Sequence, residues 1–225
     1  NSAVIVATCA FTGYLLLTFL PDFLPQLPAA ARYPLVFLVV LLAVLSSTEL
    51  RLIKWLGLGS SMLFFVLVAL VALRSGAGAR EGLESAAYLG GDFANLPRFL
   101  SPRSEHHAFY LFWWFAWSIM IGQFVARFTG GLQTWQLLVA LLVLPSIPIA
   151  LWFSVLYFYY DSALELAASV RLAMVLVGLV FVVNSLDSLT RLYSENLGLT
   201  VDRLGRVPYV LGHWVLLCAL ILLYQ

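Results

Sequence analysis

Charge is what this sequence has least of. Only 10% of its 225 residues are Asp, Glu, Lys or Arg, against 63% hydrophobic, and the mean hydropathy is +0.98. Soluble domains carry about a quarter charged residues, so the composition excludes a water-soluble globular protein and implies an integral membrane protein. The formal net charge is +1 and no basic run occurs, which excludes nucleic acid as a partner. The only lysine, Lys54, falls between apolar stretches, so a retinal protein with a lysine in its last helix is excluded. Cys9 and Cys218 sit in separate apolar runs and read as small buried thiols rather than a disulfide framework. The opening NSAVIVATCAF has no initial Met and no basic segment followed by a small-residue cleavage site, so it reads as the start of a membrane helix and not as an intact signal peptide. Alternating ten-residue segments are missing too, which excludes strands as spanning elements. No nucleophile is paired with a base in a way that suggests an enzyme.

What is there is long apolar runs. A helix needs about 20 mostly apolar residues to cross the hydrocarbon core. On that ruler seven spans are predicted: Ala3–Leu20, Tyr33–Ser47, Leu56–Leu73, Ala108–Phe128, Trp135–Phe158, Arg171–Thr190 and Pro208–Tyr224. The fifth contains Pro145 and Pro148, which predicts a bend. Residues 21–32 read as a proline-rich turn and 129–134 as a tight one. Residues 74–107 form a long connection whose segment EGLESAAYLGGDFANLPRFL reads as an amphipathic interfacial helix, broken at Gly90–Gly91 and Pro97. Apart from that loop the chain reads as one transmembrane domain over 1–225. Alternate sides of the membrane carry Arg51, Lys54, Arg127, Arg191, Arg203 and Arg206 against Arg32, Arg74, Arg80, Arg98, Arg103 and Arg171. With the 74–107 segment set aside as extracytoplasmic, the first group marks the cytoplasmic side, together with the 129–134 turn.

Two stretches carry candidate chemistry. In FYLFWWFAWSIMIGQFVARF, 109–128, Tyr110, Trp113, Trp114 and Trp117 recur at helical spacing along one face, and the only charge is held back to Arg127. Electron-rich ring faces suit a poorly hydrated cation such as a quaternary ammonium. The bland alternative is an interfacial aromatic belt or plain helix packing. Against it, the stripe is one-sided and Trp117 lies deep in the span, while Arg127 would snorkel or pair at the cytoplasmic end. Further on, Gly122 and Ala126 are spaced for close helix contact. The second stretch is FVVNSLDSLTRLYSENLG, 181–198, where Asn184, Ser185, Asp187, Ser188 and Thr190 gather oxygen ligands suited to a hard cation. Its alternative is a helix end reaching headgroup water, with Asp187 solvated or paired to Arg191 four residues on. His106, His107 and Glu105 lie at a helix entrance and read as a solvated helix end rather than metal ligands.

The run from Phe109 through Ser154, with TGGLQTWQLLVALLVLPSIPIALWFSVLY following the tryptophans, resembles the signature region of the betaine/choline/carnitine transporter (BCCT) family. FVVNSLDS at 181–188 resembles the family's threonine-serine-alanine-aspartate-serine stretch, and 53–73 is similar to the helix before its long periplasmic loop. The resemblance implies an all-α secondary transporter with a LeuT-like inverted-repeat core, of which these seven helices correspond to the fifth through eleventh of twelve. The chain is then an incomplete piece of a longer protein or a truncated relative. The implied function is ion-coupled transport of betaine, choline, carnitine or a similar solute across a bacterial inner membrane. A truncated, non-transporting membrane subunit is the alternative. Trp113, Trp114 and Trp117 match substrate-contacting tryptophans, although Leu111 stands where the family usually has another. Asn184 and Ser185 match a threonine-serine pair that binds sodium in sodium-coupled members, and Met120 stands where a phenylalanine near a second proposed cation site is common. The resemblance thus implies no cofactor, with coupling to Na+ as in the sodium-coupled members, or to protons or solute exchange as in others. The implied partners are the solute, the bilayer, and either a homotrimer or a membrane complex supplying the remaining helices.

Overall fold

The computed structural model describes residues 2–76, 78, 80, 84, 87, 91, 97, 98, 100–126 and 129–224. Its helices are α1 (Ser2–Phe23), α2 (Ala29–Ser47), α3 (Leu50–Ser75), α4 (Glu105–Val125), α5 (Thr134–Asp161), α6 (Ala168–Leu197), the single turn α7 (Val201–Leu204) and α8 (Arg206–Leu223). No strand occurs among the described residues, and all of these except α7 are long and apolar enough to cross a membrane. The chain is a multi-pass helical membrane protein.

Several predicted boundaries move outward. α1 continues through Pro21 to Phe23, closed by Leu24 N–H to Leu20 O at 2.8 Å, so the expected turn over 21–32 shrinks to 24–28. A proline near a helix end loses one backbone bond without stopping the chain. α3 begins six residues before the predicted Leu56 and takes in Lys54. α5 is continuous through Pro145 and Pro148. α6 runs seven residues beyond Thr190 to a Schellman end: Gly198 adopts φ +70°, its N–H reaches Glu195 O at 3.2 Å, and Leu199 N–H reaches Ser194 O at 2.8 Å. Most of the predicted interfacial helix, Gly90 included, lies outside the described residues, as does Arg127. Within 74–107, Arg80 is helical and pairs with the exposed Glu84 at 3.1 Å.

The molecule divides into two compact units, Asn1–Phe64 with Arg171–Gln225, and Phe65–Val170. In the first, α1, α2 and α8 pack against one another. Each presents a stripe at spacings of three and four: Ile5, Cys9, Gly13, Leu17 and Leu20 on α1; Val36, Val40, Ala43 and Ser47 on α2; Tyr209, His213, Leu217 and Ile221 on α8. Gly13 sits directly under Ile221, where a Cβ would collide with the Ile221 side chain. The absence of a side chain is what lets α1 and α8 approach. Trp214 donates its indole N–H to Phe37 O at 2.9 Å, pinning α8 to α2. In the second unit, Tyr159 of α5 donates to Val71 O of α3 at 3.1 Å. α4 starts on Ser104, whose hydroxyl accepts from His107 N–H at 3.1 Å.

Hydrophobic surroundings leave hydroxyls without water, and most settle on a carbonyl one turn back. Thr8, Thr18, Ser47, Thr48, Ser60 and Ser61 all do this at 2.7–3.0 Å. Thr190 does not: its Oγ1 is buried and lies beside Tyr193.

Candidate functional site

The predicted aromatic face lies on α4, in the second unit. Trp117 stands at its centre. The Trp114 ring meets it edge-on, centroids 5.4 Å apart at 72°, and the Trp113 ring lies 6.2 Å away at 49°. Phe109 stacks on Trp113 at 5.9 Å and meets Tyr110 at 5.8 Å. Trp114 is 61% exposed and Tyr110 51%, whereas Trp113 and Trp117 are half-buried and Met120 is buried. The three tryptophans thus form one ladder of rings, which Tyr110 joins through Phe109, and Met120 sits one turn beyond Trp117.

The predicted oxygen cluster lies on α6, in the first unit, and the helix divides it. Ser185 is exposed. Asn184 is half-buried, its Oδ1 facing Gly57 of α3. Asp187 is on another side, fully buried, where Oδ2 accepts from Ser46 of α2 at 2.8 Å and Oδ1 from Ser188 at 3.0 Å. The alternative in which Asp187 is solvated or paired with Arg191 is therefore corrected. Arg191 instead pairs with Glu195 at 2.9 Å and donates to Ser47 O at 3.3 Å. A carboxylate finds no cation within 4 Å there among the described residues.

Toward the charged end of α6 lie groups that reading α6 alone missed. Ser47 Oγ is 3.0 Å from Tyr209 Oη, which is 3.3 Å from Ser194 Oγ. Tyr193 Oη is 2.7 Å from His213 Nδ1, and the His213 ring packs on Tyr209 with centroids 4.4 Å apart. A cavity of about 190 Å³ opens at this end of the unit, lined chiefly by Ser47, Thr48, Arg191, Ser194, Glu195 and Tyr209. Beside it Arg206 approaches Glu49 at 3.7 Å. The ends of α2 and α6 and the start of α8 thus meet where the positive-charge count put them on one side. The signals were present: SST at 46–48 closes an apolar span, and Tyr209 and His213 are four apart on α8. Before the start of α4, Arg103 N–H donates to His107 Nδ1 at 3.2 Å, and no group of three or more His, Cys, Asp or Glu able to hold a metal occurs among the described residues.

Known proteins match this chain in one limited stretch. A protein of Mycobacterium bovis and two of Mycobacterium tuberculosis, each named an uncharacterized transporter, are 33% identical to it over 85 residues. That stretch is 34% of this chain, and the chain spans 14% of the length of each of these relatives. No family model matches, and no solved structure does.

Proposed function

We propose that this chain is part of a secondary transporter that moves a small quaternary-ammonium or zwitterionic solute across a bacterial inner membrane, driven by an ion gradient. The observation that carries the reading is the exposed Trp114 ring set edge-on against Trp117 at 5.4 Å, with Trp113 completing the ladder. A methylated ammonium group would lie against these rings and lose little hydration in doing so. The relatives named as transporters and the resemblance of 109–154 to the betaine/choline/carnitine family support the same reading. In it Na+ would take oxygen from Asn184 and Ser185, with Met120 near a second cation.

The test is binding of betaine, choline and carnitine to the purified full-length protein, with a melting curve for each variant. A desolvated cation–π contact is worth about 2 kcal/mol, so Trp114→Leu is expected to weaken binding roughly thirtyfold. Trp114→Phe keeps a smaller ring and falls between. Both are expected to melt close to the parent. If the parent binds none of the three solutes and Trp114→Leu moves only the melting temperature, the tryptophans are structural and the chain is a non-transporting membrane subunit.

A further inference from the structure

We infer that the polar cavity at the charged end of α2, α6 and α8 binds a zwitterion with a primary ammonium beside a phosphate, the chemistry of an ethanolamine phospholipid headgroup. The inference does not rest on the transport reading and uses none of its residues.

The guanidinium of Arg191 is the first argument. Its side chain is only 26% exposed, yet just two of its N–H groups have an acceptor among the described residues. Nε reaches Glu195 at 2.9 Å and Nη1 reaches Ser47 O at 3.3 Å. Both N–H groups of Nη2 are left over, on a side chain that lines the cavity. A planar fork of this kind is the side-chain group best matched to phosphate oxygens.

The hydroxyls are the second argument. Ser47, Thr48 and Ser194 each give their proton to a carbonyl one turn back, at 2.7–2.9 Å. Tyr209 has one proton, which goes to Ser47 at 3.0 Å or to Ser194 at 3.3 Å. What these hydroxyls have left to offer a ligand is lone pairs. Glu195 and Asp202 line the same cavity with carboxylates. Acceptors gathered round one guanidinium fork suit a ligand that joins an anionic oxygen group to a cation bearing N–H. A plain anion would be repelled by the two carboxylates. A quaternary ammonium has no N–H to donate, so this ligand differs from the solute proposed for the tryptophan ladder.

Place and size are the third. α2 ends at Ser47 and α8 begins at Arg206, so the cavity lies where the spans leave the hydrocarbon, at headgroup depth. Trp55, 68% exposed near the start of α3, marks the same level. The cavity of about 190 Å³ has room for about six waters at roughly 30 Å³ each, which is the scale of a headgroup and not of one ion.

The experiment follows the melting temperature of the full-length protein in detergent as dioctanoyl lipids are added, since a ligand of the folded state raises it. Phosphatidylethanolamine is expected to raise it saturably, and the rise to shrink with each N-methyl group. Phosphatidylcholine is expected to bind roughly tenfold more weakly, having lost the charged N–H donors. Phosphatidylglycerol, with no ammonium, is also expected to fall below the ethanolamine lipid. Asp202→Asn, at an exposed position, is expected to melt like the parent without lipid and to narrow the gap between ethanolamine and choline lipids. Arg191→Lys keeps a charge for Glu195 but lacks the fork, and is expected to weaken binding of every phospholipid about tenfold. Equal shifts from all three lipids, or none from any, overturn the proposal. So does a shift that both substitutions leave intact. Soluble glycerophosphoethanolamine separates the two sources of this chemistry: if it competes with the lipid, the cavity takes the free zwitterion as well; if it does not, the ligand is a membrane lipid. Trp114→Leu is expected to leave the lipid curve unchanged, so a protein that binds the ethanolamine lipid but no quaternary-ammonium solute loses the transport reading and keeps this site.

Discussion

The two compact units solve the same problem, a set of apolar helices, in different ways. In the first, α1, α2 and α8 turn narrow stripes onto one another, and 39% of the most apolar stretch of α1 is buried. In the second, none of the corresponding stretch of α5 is buried, although its hydropathy is as high. Water would not tolerate that surface, but lipid tails are as apolar as leucine and give it no reason to hide. Hydropathy therefore decides that a segment crosses the bilayer; small residues, hydroxyls and rings decide whether it packs.

The most severe test of that contrast deletes the same atoms in both places. Leu217→Ala, at a position 1% exposed on the α8 stripe, is expected to cost about 2–5 kcal/mol and to lower the melting temperature of the detergent-purified protein sharply. Leu142→Ala, 71% exposed on α5, is expected to leave it close to the parent. Equal losses would break the comparison. A smaller effect is expected from adding one methyl: Gly13→Ala pushes α1 off Ile221 and should cost about 1–3 kcal/mol in the same assay. The smallest concerns two helix ends built alike. α5 closes as α6 does, with Ala163 at φ 50°, its N–H on Tyr160 O at 3.2 Å and Leu164 N–H on Tyr159 O at 2.9 Å. Glycine belongs at that position, so Ala163→Gly is expected to stabilise by roughly 0.5–1 kcal/mol. Gly198→Ala should do the reverse and more, because its Cβ would stand 2.9 Å from Arg203 Nη1.

Seven spans were legible because each is a long apolar run, and length and composition are all that a bilayer reads. The ends were less so. Polar residues set the predicted end of α6 at Thr190, yet the signal that ends it is Gly198, eight residues further on; inside a packed unit a polar residue need not face water. The aromatic ladder could be read directly, since contacts at i+3 and i+4 are intrahelical and follow from spacing alone. The oxygen cluster could not be read in the same way. Asp187, Ser185 and Asn184 are neighbours in sequence, but successive residues on a helix point about 100° apart. Asp187 found its partner in Ser46, which lies 141 residues away. No local pattern announces such a pair; only a serine ending one apolar span and a carboxylate inside another hint at it.

The ladder on α4 has an optical consequence. Three indoles with centroid separations of 5.4 and 6.2 Å are near enough, and skewed enough at 72° and 49°, for their transitions to mix rather than absorb independently. The helix backbone fixes their mutual handedness, so their coupled signal in near-ultraviolet circular dichroism has a definite sign. The protein thereby carries a built-in chromophore trimer whose spectrum changes whenever one ring turns.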